Sequence, residues 1–289
     1  MKVNPMVKFV LFAVFPLLVI YVLFRINTVV GFIGLAAYLL FAVSANRALI
    51  YRIRGQAEYS KGNLKNAAIQ FEKAIRLKKA GVEMKINYGF ILLKIGRLEE
   101  AEKVLQECVS QGKTQDEKNL AKSNLALVLW RKGRLEQAIS MLKEIIVNYK
   151  TTAIYGSLGY LLIEQGDMDE ALKFNLEAFE YNSENAIILD NLAHLYHLRG
   201  EMDKAGEMFE KLKEKNPHFP EAWYDFGRYL EDSGRGAEAA EMYEKALSCT
   251  FSFNSTISSE QVQNRLNALE DRSEKPSRLL NTENEEKNG

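Results

Sequence analysis

Cysteine is nearly absent from this sequence: Cys108 and Cys249 are the only two in 289 residues. Two thiols are too few for a disulfide framework or a cysteine-rich zinc site, and such sparing use fits a reducing compartment. Histidine is also scarce. His194 and His197 fall three apart in HLYH, on one face of a predicted helix, but no third ligand accompanies them, so no metal site is expected. Neither a glycine-rich phosphate loop nor a nucleophile elbow occurs. Acidic pairs such as Glu99-Glu100 sit in polar turn regions, where solvation is the expected role. Catalysis, a cofactor and a small-molecule substrate are therefore not expected. An excess of one charge is missing as well, since 38 lysines and arginines balance 38 aspartates and glutamates. Without a basic surplus there is no counterion release to drive binding to nucleic acid, and that partner class is set aside. Five prolines and few long polar runs leave little room for disorder before the C-terminus.

What is present is unevenly distributed. Residues 9–24 read FVLFAVFPLLVIYVLF and residues 29–45 read VVGFIGLAAYLLFAVSA, both without a charge. A bilayer core of about 30 Å takes about 20 helical residues. The first run reaches that length with Val7 and Lys8, the lysine snorkelling outward, and the second with Asn46 and Arg47. Only Arg25, Ile26, Asn27 and Thr28 separate them. The arrangement predicts an antiparallel transmembrane hairpin over residues 1–47, with Gly31, Gly34 and Ala37 on one face of the second helix where small residues allow close contact. Pro16 is expected to kink the first helix. Two other readings exist. Val43-Ser44-Ala45 resembles a signal cleavage site, but two apolar segments with a polar break precede it. A hairpin that dips into the bilayer without crossing would keep Arg25 and Asn27 shallow. Two crossings are favoured. Lys2 and Lys8 precede the hairpin and Arg47, Arg52, Arg54, Lys61 and Lys65 follow it, against Arg25 alone in the loop. The positive-inside rule then puts both termini in the cytoplasm of a multi-pass protein of the cell membrane. Between Leu35 and Arg54 there is no glycine or proline, so the second membrane helix is expected to run unbroken into the next domain.

Beyond Arg47 the chain repeats itself. Glycines recur at 62, 96, 133, 166, 200 and 234, at intervals of 34, 37, 33, 34 and 34. Five residues after each comes an alanine: Ala67, Ala101, Ala138, Ala171, Ala205 and Ala239. Four further on stand Phe71, Leu105, Leu142, Phe209 and Tyr243, with Asn175 the exception. Trp223 and Gly227 in WYDFG, Tyr155, Leu158 and Gly159 in YGSLG, the small residues Ala74, Cys108, Ala178 and Ala246, and Pro217 complete the pattern. In period and spacing this resembles the tetratricopeptide repeat (TPR), a helix-turn-helix unit of about 34 residues. The resemblance implies an all-α solenoid of six helix pairs over residues 48–253, divided near 48–81, 82–115, 119–151, 152–185, 186–219 and 220–253. The glycine is suited to a left-handed turn, and the alanine and the large residue to packing. The interval of 37 places a polar insertion near Gln115-Asp116-Glu117-Lys118. Ser258 and Ser259 can cap a helix over residues 260–270, with Val262, Leu266 and Leu269 on one stripe. Residues 254–272 are thus expected to cover the last repeat, and 273–289 to form a disordered polar tail.

In the TPR family the first helix of each repeat lines a concave surface. Nine residues before the turn glycine, at a position that faces this groove in the family, the chain has Asn87, Asn124 and Asn191, with Ile53, Ser157 and Asp225 in the other repeats. In some superhelical members such asparagines hold the backbone of an extended peptide, a task that suits an amide with donors and an acceptor. Tyr59, Phe90, Trp130, Tyr160, His194, His197 and Tyr224 are expected nearby. Arg52, Gln56 and Asn87 partly resemble the clamp with which chaperone-binding members grip a terminal carboxylate, but Leu120 and Asn124 stand where that clamp has cations. The resemblance thus implies a membrane-anchored scaffold that binds a peptide or protein segment in the groove. The alternative is a factor for membrane-protein assembly or quality control, whose hairpin makes the contacts while the repeats are mainly structural.

Overall fold

The computed structural model describes residues 6–7, 10–77 and 81–271. Every regular element among them is helical. A π-helical turn, Val10–Val14, precedes α1 (Phe15–Ile26). Pro16, expected as a kink, lies just after that turn, where its missing N–H disturbs the ordinary ladder. The connection to α2 (Thr28–Ala45) is one residue long. Asn27 makes this possible by turning extended, while its Oδ1 accepts the amides of Val29 at 2.8 Å and Val30 at 3.3 Å. The two helices pack antiparallel. The Phe24 ring lies on Gly31, Leu23 on Gly34, and the Tyr38 hydroxyl donates to the Phe12 carbonyl at 3.2 Å. Most of the hairpin's apolar side chains face outward, among them Phe12, Leu17, Leu18, Phe32, Ile33 and Leu40. By length and composition one helix of the described residues, Thr28–Ala45, is sufficient to cross a bilayer, with a mean hydropathy of 2.1 over 18 residues.

α2 does not continue unbroken into α3 (Arg47–Ser60). Asn46 forms a turn between them, at φ −104° and ψ 12°. Its side-chain amide donates to the Ala42 carbonyl at 2.8 Å, beside its own backbone N–H at 3.1 Å. Side-chain competition for a backbone acceptor is a physical cause of such a break, and the sequence window free of glycine and proline does not register it.

Six helix pairs follow. They are α3 with α4 (Leu64–Arg76), α5 (Val82–Lys94) with α6 (Leu98–Gln111), and α7 (Gln115–Arg131) with α8 (Leu135–Ile146). Then come α9 (Thr152–Gln165) with α10 (Met168–Tyr181), α11 (Ala186–Leu198) with α12 (Met202–Glu214), and α13 (Pro220–Asp232) with α14 (Gly236–Ser248). Five of the six turns within pairs are built alike. Gly96, at φ +80°, donates to Leu93 O at 3.1 Å while Arg97 N donates to Leu92 O at 2.9 Å. This closure satisfies two orphan carbonyls and calls for a left-handed residue. The six repeated alanines have no exposed surface, and Phe71, Leu105, Leu142, Phe209 and Tyr243 fill the grooves beside them at 2% exposure or less. Burying each of these five is worth about 1.5–3 kcal/mol. Helices approach closely at Gly227, where an added Cβ would stand 2.5 Å from the Tyr243 ring.

The polar insertion lengthens a helix instead of forming a loop. Thr114 and Glu117 make a reciprocal capping box, and α7 gains a first turn to reach 17 residues. After α14 the chain runs irregularly through residues 249–258 and then forms α15 (259–271). α15 opens on a second box, Gln261 N donating to Ser258 Oγ at 3.1 Å and Ser258 N to Gln261 Oε1 at 2.7 Å. Its Val262 and Leu266 are buried against repeats five and six. The polar segment 273–289 lies outside the described residues.

The buried apolar residues fall mainly into two clusters. One spans repeats one to four; the other spans repeats five and six with α15. Near their seam sit buried polar side chains. Asn175, in place of the usual large residue, donates to Ala171 O at 2.9 Å and Gly159 O at 3.2 Å. Ion pairs such as Glu102 with Lys132 and Arg134, at 2.7 and 2.9 Å, tie successive repeats on the surface. Such exposed pairs contribute about 0–1 kcal/mol each.

Candidate functional site

The first helices of the six pairs converge on one face. Lys94 at the end of α5 lies within electrostatic reach of Glu221 at the start of α13, and Tyr160 of α9 lies within reach of Asp225 of α13. Repeats two, four and six therefore share one concave face. On this face Trp130 and Tyr160 meet edge to face, with centroids 5.5 Å apart. The Arg131 guanidinium lies 5.2 Å above the Trp130 ring, and Lys94 lies 5.3 Å above Phe90. Burial lowers the Lys94 ammonium below its ordinary range, while Glu221 opposes this. The Tyr160 hydroxyl donates to Glu164 at 2.8 Å, and burial, with Glu164 beside it, raises its pKa well above the ordinary tyrosine value.

The three asparagines at one register have three different environments. Asn87 is exposed and Asn124 half-buried. Asn191 is only 3% exposed, and its amide donates to the Gly156 carbonyl of α9 at 2.8 Å. It is an interior residue joining α11 to α9, so the expected ladder of three groove-facing amides is not present. The close approach depends on α9, because a Cβ at Gly159 would stand 3.0 Å from the Asn191 amide nitrogen. Tyr59 is half-buried against the first core cluster. Tyr224 is half-buried beside Tyr243, at 5.7 Å between centroids.

A polar patch on α11 and α13 continues the concavity. His194 Nδ1 lies 3.4 Å from Asp225 Oδ1, and His197 Nε2 lies 2.9 Å from Asp232 Oδ2. Burial pushes the carboxyls of Asp190, Asp225 and Glu221 upward; Asp225 and Glu221 add to the effect at Asp190, and His194 and Arg228 counter it at Asp225. Among the described residues, no group of three or more histidines, cysteines, aspartates or glutamates is placed to hold a metal ion. Both thiols are free, and burial raises them, Cys108 to about 11. Neither is an activated nucleophile.

Sequence reasoning missed residues 249–257, which lie in this concavity. The Phe253 amide donates to the Lys94 carbonyl at 3.0 Å, and its ring lies on Gly96 and 4.9 Å from the Arg131 guanidinium. The Thr256 amide donates to Glu221 Oε1 at 2.8 Å, and Thr256 also meets the Tyr160 hydroxyl. Residues 250–253 form one wall of a cleft of about 660 Å³, opposite Gly62, Asn63, Leu64, Lys94 and Ile95. The stretch has no periodicity, and most of its partners lie over 90 residues away, so no local signal announces it.

Stacked helix pairs sharing one concave face define a helical-repeat protein. Profiles of the tetratricopeptide repeat match residues 89–151 and 123–185, 162–224, and 220–249. Together they span more than half of the sequence, and the chain belongs to the tetratricopeptide-repeat family. Its structure superposes on that of a tetratricopeptide repeat protein from Parabacteroides merdae with a TM-score of 0.64, at 16% identity, over 85% of this chain and 93% of the other. A thermophilic TPR protein of Thermus thermophilus gives 0.54 at 19% identity, over 65% of this chain and 98% of its own. These two likenesses concern the fold. In sequence, the Photosystem I assembly protein Ycf3 of Prochlorococcus marinus is 32% identical over 116 residues, which is 34% of this chain and 66% of that protein.

Proposed function

We propose that this protein is a non-enzymatic scaffold anchored in the cell membrane by its α1–α2 hairpin, holding a peptide or protein segment on the concave face of its repeats in the cytoplasm. The observation that carries the binding half is the set of aromatic and cationic side chains converging on that face, Trp130, Tyr160, Arg131, Phe90 and Lys94. Rigid aromatic rings supply contact area at low entropic cost, and arginine is a common binding anchor. The anchoring half is supported by a hairpin that leaves its apolar side chains uncovered. Outward apolar surface of that extent calls for lipid or a partner, and the basic residues flanking it favour a cytoplasmic solenoid.

A second reading is an assembly factor whose contacts run through the hairpin. The assembly role in the name of the Prochlorococcus relative favours it. Photo-crosslinking in intact cells separates the two, with the reactive group at Trp130 or Tyr160 in one set and at Phe32 or Leu40 in the other. Capture at the repeats supports the groove reading, and capture at the hairpin alone replaces it with the second. Protease added outside sealed cells should spare the repeats; their digestion would reverse the topology.

A further inference from the structure

We propose that residues 249–257 are a built-in occupant of the concave face, and that the partner bound there is an extended peptide of like chemistry, an aromatic residue among serines and threonines without carboxylates, entering only by displacing them. The proposal rests on the groove reading and adds to it what is recognised and how access is controlled.

The path of the chain is the first argument. α14 and α15 pack in the same cluster, and helix–helix connections in such arrays commonly take 2–8 residues. Residues 249–258 instead travel out to the turn glycines of repeats one and two, pass α7 and α9, and return to α13 before α15 begins. Their contacts are those of a bound ligand. The Phe253 amide satisfies Lys94 O, a carbonyl at the C-terminal end of α5 that has no partner within its helix. The Thr256 amide is held by Glu221 Oε1. Phe251 and Ile257 pack on the cluster of repeats five and six. A local turn presents the tip, with Ser252 N donating to Ser255 Oγ at 3.2 Å and Asn254 N to Ser252 Oγ at 3.3 Å.

The surroundings set the chemistry of a replacement. Arg131 over the Phe253 ring favours an aromatic side chain at that point. Glu221, beside Thr256, and Asp225, close to Tyr160, repel a carboxylate at the other end. The tip is also poorly buried, since Phe253 remains 44% exposed. A core residue would not be, and a displaceable one is expected to be.

The test uses the full-length protein in detergent and a fluorescent peptide TFSFNSTIS, the sequence of residues 250–258. A control peptide carries alanine for both phenylalanines. One variant replaces residues 250–257 with glycine and serine, and another is Phe253→Ala. A tethered competitor acts at an effective concentration in the millimolar range, so the peptide should bind both variants at least about tenfold more tightly than the wild type, and the control peptide should bind none of them. Hydrogen exchange on the unmodified protein gives a readout independent of variant folding: the Phe253 amide should be protected, and saturating peptide should remove that protection. Equal binding to all three proteins, binding to none, or free exchange at Phe253 would overturn the proposal. A concentration-dependent dimer of the wild type, with segments exchanged between copies, would overturn it as well. A freely exchanging Phe253 alongside partner capture at Trp130 would sink this proposal and keep the groove reading. A protected, displaceable segment with partner capture only at the hairpin would remove the partner instead.

Discussion

Replacing Asn191 by alanine should destabilise the fold by about 1–3 kcal/mol, whereas the same change at Asn87 should cost almost nothing. Both residues occupy the same place in their repeats. Asn191, however, is 3% exposed and spends its amide on Gly156 O at 2.8 Å, while Asn87 faces solvent. Alanine at 191 removes the hydrogen bond that crosses from α11 to α9 and leaves a void between two closely packed helices; the lost bond and its desolvated acceptor account for the range given. For an array of this size, each kcal/mol moves the melting temperature by about 2–4 °C, so the shift should be about 2–12 °C. Asn191→Asp separates bonding from volume. It keeps the size but turns a donor into an acceptor facing a carbonyl, so at neutral pH it should cost at least as much as alanine. The assay is thermal unfolding of the full chain in detergent, followed by helical circular dichroism. If Asn191→Ala and Asn87→Ala melted together with the wild type, the interior placement of Asn191 would be refuted and a groove role restored.

Other perturbations act on single features. Gly227→Ala should cost about 1–3 kcal/mol by overpacking against the Tyr243 ring, 2.5 Å from the new Cβ; Gly133→Ala, with nothing within 4 Å but φ at +77°, should show only the backbone penalty of about 1–2 kcal/mol. A melt of Gly227→Ala unchanged from wild type would refute the close packing. Thr114→Ala should cost about 0.5–2 kcal/mol, read as faster hydrogen exchange in the first turn of α7. Burial, with Asp225 and Glu221 nearby, raises the Asp190 carboxyl above its ordinary 3.8. A raised native value means that stability is fully present below the ordinary value and is lost as pH rises through the native one. Asp190→Asn should therefore melt with the wild type near about pH 4 and above it at about pH 8; a gap that widened on acidification would contradict the sign.

What the sequence discloses is local. The turn glycines, the alanines five residues later and the Ser258 cap are each set by neighbours within one repeat, and each is found where its spacing places it. The capping box at Thr114 is equally local, a threonine three residues before Glu117, and it turns the polar insertion into the first turn of α7. Asn191 shows where local reading stops. Its letter and register match those of Asn87, and the difference lies in the repeat it faces, where Asn175 rather than a large apolar residue stands beside Gly159, while Phe71 lies on the equivalent Gly55. Residues 249–257 are hidden for a related reason: their partners belong to other repeats, joined to them only by the curl of the solenoid. The Asn46 break depends on one side chain capturing a carbonyl that the helix also uses.

An open solenoid is mechanically a spring, each repeat free to change its angle to the next, because contacts reach only to nearest neighbours. The bond from Phe253 to Lys94 O and the ring contact at Arg131 join the sixth repeat to the second and third. The spring becomes a closed loop. Tension applied between the α2 end and α15 then loads this latch before it loads any helix interface, and the array should yield first there, in one step, at low force. Until it yields, repeats two to six deform as a unit. A pull along the chain and the arrival of a ligand would thus meet the same first barrier.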